Sequence, residues 1–129
     1  MGINSTEVAY GLGQLGSIFS DQDDPIQPPA GKVFVAIHFL EDTTLEAHGG
    51  LIASQDSVNG YEYISTEDAG GNDQTAHNIA HDGTPTAISG TGGLVVDNSN
   101  TIPAGTIIYG RWTQVHTTGN VMVIAYIGE

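Results

Sequence analysis

The sequence predicts an all-β fold, a β-sandwich of which a jelly roll is one arrangement, preceded by an extended N-terminal arm. Three observations point there. Apolar residues come in short β-branched and aromatic runs, as in Lys32-Val-Phe-Val-Ala-Ile-His-Phe-Leu40 and Val121-Met-Val-Ile-Ala-Tyr-Ile-Gly128. Gly, Asn, Asp and Thr clusters separate the runs, and no stretch sustains a helical apolar stripe. With 129 residues, 39% of them hydrophobic, the chain can build one core but not two comfortable ones.

Residues 1–30 read as the arm. Gly11, Gly13 and Gly16 break both helical and alternating patterns, and Asp21 to Asp24 followed by Pro25, Pro28 and Pro29 form an acidic, then proline-rich connector. Tyr10, Leu12, Leu15, Ile18 and Phe19 carry enough apolar area to need a cover, either their own sheet or a neighbouring subunit.

The domain proper spans residues 31–129. Its first strand, from Lys32 to Leu40, is apolar on both faces, which predicts a central or doubly covered position. Leu51 to Val58 and Tyr61 to Thr66 flank Asn59-Gly60, a dipeptide suited to a type I′ hairpin turn. Residues 67–92 are rich in Asp, Asn, Gly and Thr and predict loops with one short element, and Leu94 to Asp97 a brief strand. From Thr106 to Thr117, Ile107, Tyr109, Arg111, Thr113 and Val115 alternate with Ile108, Gly110, Trp112, Gln114 and His116. With the Thr117 to Asn120 turn and the run after it, this predicts a closing hairpin.

Charge narrows the function. Fifteen Asp and Glu face only Lys32 and Arg111, a formal net charge of −13. Two cations cannot supply the counterion release on which phosphate binding depends, so nucleic acid is not an expected partner. No run approaches the roughly 18–20 apolar residues of a membrane span. The sequence contains no cysteine, which rules out a disulfide framework and fits assembly in a reducing cytoplasm.

Catalytic and metal patterns are fragmentary. His77 and His81 have a helical i, i+4 ligand spacing, but Gly71, Gly83 and Pro85 predict a loop, and the acid of an HExxH motif is missing. His38, Glu41, Glu46 and His48 invite comparison with cupin metal sites, yet the His-x-His element is absent. Asp21, Asp23 and Asp24 could offer oxygen to calcium, but Pro25 and Pro28 stand where an EF-hand loop would continue. Gly11-x-Gly13-x-x-Gly16 matches GxGxxG without the βαβ unit that gives the motif its meaning. No cofactor or metal is expected. Trp112 reads as a core anchor or an interface anchor, and Arg111 as the cation that meets a carboxylate within or between subunits; Lys32, at a strand start, reads as solvated.

The segments "NSTEVAYGLGQLGSIFSD", "PPAGKVFVAIHFLEDTTLE" and "IPAGTIIYGRWTQV" with the ending through Gly128 resemble small virion proteins of tailed bacteriophages, marine and cyanobacterial phages among them, over roughly half the chain. The resemblance implies a non-enzymatic structural protein, a capsid decoration or cement protein located in the virion, with the major capsid protein or another virion protein as partner. A homo-oligomer, by analogy a trimer, would make subunit or shell contact through Tyr10, Leu12, Leu15, Ile18, Phe19, Arg111 and Trp112. Two alternatives stand beside it: a head-fibre, knob or tail component whose loops between Glu67 and Thr91 bind host glycan, and a small cupin-like metal-dependent enzyme.

Overall fold

The computed structural model describes residues 15–54, 96 and 98–129, and the backbone of two short strands at 78–80 and 85–87. The fold is all-β. Strands β1 (Ser17–Ser20), β2 (Val33–Phe39), β4 (Leu51–Ala53), β8 (Ile107–Val115) and β9 (Val123–Gly128) form one antiparallel sheet in the order β1-β9-β2-β8-β4. Strands β3 (Thr43–Thr44) and β7 (Thr101–Ile102) pair separately, as do β5 (Asn78–Ala80) and β6 (Pro85–Ala87). That last hairpin is the short element expected between residues 67 and 92. The predicted hairpin around Asn59-Gly60 lies outside the described residues, as do Leu94 and Val95.

The apolar strand at Val33–Phe39 takes the centre of the sheet, as expected. This placement overturns the closing hairpin: β8 and β9 do not pair with each other, because β2 lies between them and bonds to both. The linker between them makes its bonds elsewhere. Thr118 N–H donates to the Thr44 carbonyl at 2.8 Å, Leu45 bridges Thr117, and Met122 N–H donates to the Glu41 carboxylate at 2.8 Å. A segment held across the end of β2 in this way carries the chain over the strand instead of reversing it tightly.

On the inner face, Ile18, Ala125, Ile37 and Ile108 form one cross-strand row, and Phe39 sits beside Val123 in the next. The register shifts between Phe34 and Ala36, with Val35 as the extra residue against β9 and one extra residue on β8 against β2, so Phe34 and Ala36 point to opposite faces and Phe34 meets Trp112 and Ile127 in the core. A second irregularity, between Ile52 and Ala53 against β8, leaves Thr113 opposite no single residue of β4, its hydroxyl donating to the Ile52 carbonyl, and turns Val115 inward with Trp112. The predicted strict alternation of β8 therefore fails after Trp112. Leu45 and Ile102, carried by the β3 and β7 segments, close the core from the other side. The turn at Pro103–Thr106 that leads into β8 uses Gly105 at φ 86°, and Gly105 N–H donates to the Phe39 carbonyl.

The described part of residues 1–30 packs on the chain's own sheet, one of the two covers expected for it. Ser17–Ser20 is an edge strand on β9, with Ile18 packed against the core, and Ile26 exchanges two backbone hydrogen bonds with Val115 at 2.9 and 3.1 Å. Asp23 N–H also donates to the Asn120 side chain. Deleting residues 1–20 is therefore expected to remove β1 and lower the unfolding free energy by about 1–3 kcal/mol, with a correspondingly lower urea midpoint, from the lost burial of Ile18 and its strand contacts. Urea unfolding followed by circular dichroism measures it; an unchanged midpoint would show β1 to be dispensable.

Candidate functional site

The face of the sheet turned away from the core has an unusual composition. Cross-strand register places Ser17, Tyr126, Ala36 and Tyr109 in one row and Phe19, Ile124, His38 and Ile107 in the next. The β2 bulge creates this arrangement: by returning Ala36 and His38 to the outer face, it sets them between the side chains of β9 and β8. Phe19, Tyr109 and Ile107 are 57%, 59% and 41% exposed, while Ala36 is only 2% exposed. The small side chain of Ala36 thus floors a hollow of about 250 Å³ walled by Tyr109, Tyr126 and Ile107. None of the eight positions is Asp or Glu, in a chain with fifteen of them. The two cations lie at one end of the same sheet: Lys32 forms a 3.6 Å ion pair with Glu129, and Arg111 Nη1 donates to the Glu129 backbone carbonyl.

A second depression, of about 300 Å³, lies under the proline-rich connector beside Ile52, Thr113 and Gln114. Its amides are engaged within the fold, with Gln27 Nε2 donating to Gln114 Oε1 at 2.8 Å and Gln114 Nε2 to the Gly49 carbonyl at 2.7 Å.

The residues singled out from sequence divide between these surroundings. Tyr10 and Leu12 lie outside the described residues. Leu15 is exposed just before β1, Phe19 is on the outer face, and Ile18 is half-buried against the core. Trp112 is fully buried, which makes it a core anchor and corrects its inclusion among interface contacts. Its indole N–H has no hydrogen-bond acceptor among the described residues. Arg111 is half-buried, and its guanidinium donates to the backbone carbonyl of Glu129. Lys32 is paired with Glu129 and not simply solvated.

Among the described residues no three His, Asp or Glu side chains converge as metal ligands. His38 projects onto the outer face while His48 is exposed in the turn before β4, so the cupin-like set is dispersed. Asp21, Asp23 and Asp24 are exposed in the bend after β1. His77, His81 and most of the loop from Glu67 to Thr91 lie outside the described residues. No described helix is long and apolar enough to cross a membrane, a statement that does not bear on β-barrels.

Sequence reasoning missed the outer-face set of Ala36, His38, Ile107, Tyr109, Ile124 and Tyr126 as a unit. The alternation from Thr106 did place Ile107 and Tyr109 opposite Trp112, but strand order, which brings Tyr126 and Phe19 into line with them, is not a local property. Comparison with known proteins gave no match to any family model, curated protein or solved structure.

Proposed function

We propose that this protein is a non-enzymatic structural component of a tailed-phage virion, a decoration or cement protein that binds the outer capsid shell and stabilises it. The observation that carries the reading is the outer face: a rigid, carboxylate-free surface of Phe19, Ile107, Ile124, Tyr109 and Tyr126 in a chain of net charge −13. Exposed apolar surface of this kind marks a contact with another macromolecule. Aromatic side chains contribute large contact area to such contacts at low entropic cost. The acidic remainder keeps the protein soluble, and salt limits the range of its self-repulsion. The three segments resembling phage virion proteins supply the setting, in which many copies on a symmetric shell convert modest single contacts into avidity.

Adding the purified protein to phage shells that lack it tests the reading. Saturable binding at a fixed ratio to the major capsid protein, with a raised shell disruption temperature, is the expected result. Absence of shell binding at high protein concentration would overturn it.

A further inference from the structure

We infer that the free edge of β1 is a docking site for an extended strand of another protein, one that adds antiparallel to Ser17–Ser20 and carries Lys or Arg at its N-terminal end. The site is the backbone edge of the sheet and not its outer face, and the inference does not depend on the shell reading.

Hydrogen-bond phase opens the edge. Ile127 N–H donates to the Gly16 carbonyl at 2.9 Å, and the register sets Ser17 opposite Tyr126 and Ile18 opposite Ala125. Bonded and non-bonded pairs alternate along an antiparallel ladder, so Gly16, Ile18 and Ser20 turn their backbone groups toward β9. Ser17 and Phe19 turn theirs away. Their N–H and carbonyl groups have no partner among the described residues, and an added strand satisfies all four. Natural edges are blunted by charged side chains, proline or bulges. Ser17–Ser20 is uncharged, contains no proline and pairs with β9 without a register shift, and Ser17 and Phe19 are exposed. The opposite edge differs. Leu51–Ala53 is buried along its whole length, and Ser54 N–H continues its bonding to the Arg111 carbonyl.

Side chains and charge describe the occupant. A residue opposite Phe19 would lie beside its exposed ring, and the residue opposite Ile18 would complete the cover of that half-buried side chain. Both positions favour β-branched residues. Beyond Ser20 the chain enters the bend of Asp21, Asp23 and Asp24, all exposed. An antiparallel partner passes this bend with its N-terminal end, where cations meet three carboxylates. The same charge disfavours a second copy, since each chain carries −13.

Adding a capped peptide, Lys-Lys-Thr-Val-Thr-Val-Thr, to the full chain tests this by amide hydrogen exchange and NMR titration. Exchange at Ser17 and Phe19 should slow at least tenfold on saturation, with half-saturation at roughly 0.1–5 mM, the weak range of a short unanchored strand. Ile18 and Ser20, already bonded to β9, should change little. N-methylating the valines and N-methylating the last three threonines should have opposite results, one abolishing binding and the other sparing it, because only every second N–H of an added strand faces the edge. Replacing Lys-Lys by Glu-Glu should weaken binding at least tenfold. Ser17→Pro removes an outward N–H that β9 does not use, so it should weaken binding at least fivefold with an unchanged unfolding midpoint, whereas Ser17→Ala should bind normally. Unchanged exchange at Ser17 and Phe19 in ~10 mM peptide, equal loss from both methylated peptides, or equal binding of the Glu-Glu peptide would each overturn the inference. Phage shells test the decoration role separately: a chain that ignores shells can still take the peptide, and a chain that refuses the peptide can still coat them.

Discussion

Trp112→Ala is expected to destabilise the protein by about 3–5 kcal/mol, the cost of truncating a large, fully enclosed aromatic side chain. Trp112 is 0% exposed and lies where three constraints meet: Phe34 faces it from β2, Ala53 from β4, and its ring folds back over Gly110 of its own strand. A methyl group placed on Gly110 would stand 2.7 Å from the indole ring, so glycine at that position is what allows the ring to lie flat against β8. Gly110→Ala should therefore also destabilise, by about 1–3 kcal/mol through overpacking. The two effects share one cause. In a Trp112→Ala background the ring is gone, and Gly110→Ala should cost far less than it does alone, giving a clear coupling energy in a double-mutant cycle. Denaturant unfolding followed by far-ultraviolet circular dichroism checks all three variants without relying on tryptophan fluorescence. Additive effects would show that the ring and Gly110 do not constrain one another.

The second large effect is expected at Gly50. A Cβ there would stand 2.6 Å from the Glu46 carbonyl oxygen and 2.8 Å from the Leu45 Cβ. Neither obstacle is a flexible side-chain end, and Leu45 is itself fully buried, so the loop between β3 and β4 would have to move as a unit. Gly50 also accepts a hydrogen bond from His116 N–H at 2.9 Å, and Glu46 N–H donates to the His116 carbonyl at 3.0 Å, so the displacement would strain the anchoring of β4 to the end of β8. Gly50→Ala is expected to cost about 2–3 kcal/mol, at the upper part of the range for overpacked sites. A loss below about 0.5 kcal/mol, the scale of an ordinary surface substitution, would mean that the loop yields.

What the sequence made legible was whatever a strand reveals by itself. Val33 to Phe39 is a long apolar run, which pointed to a central strand, and β2 does lie between β9 and β8, although its core face holds Phe34, Ile37 and Phe39 while the outer face of the sheet stays open. Short runs separated by turn residues gave the all-β class, which the structure bears out. Pairing was not legible. The runs around Ile107 and Val123 have the length, composition and separation of hairpin partners, and nothing within them signals that a strand from far earlier in the chain divides them. The bonds that exclude the hairpin come from Glu41, Thr44 and Leu45, distant residues that hold the linker across β2. Bulges were hidden for a similar reason, because Val35 reads as one more apolar residue in an apolar run.

The outer face was hidden more thoroughly. Alternation assigned Ile107 and Tyr109 to one side of β8 but could not say whether that side is covered. Phe19 read as arm material and Tyr126 as part of a closing strand. They became neighbours of Tyr109 and Ile107 only through the order β1-β9-β2-β8.

That strand order also has a consequence in time. During synthesis the central strand emerges early, whereas both strands that bond to it belong to the last quarter of the chain. Until those strands are made, Val33 to Phe39 has neither of its strand partners, and bringing residues so distant in sequence together carries the chain-closure entropy that slows folds of high contact order. The acidic charge carried by the rest of the nascent chain then serves a second purpose: it keeps incomplete chains apart while the centre of their sheet waits for its neighbours.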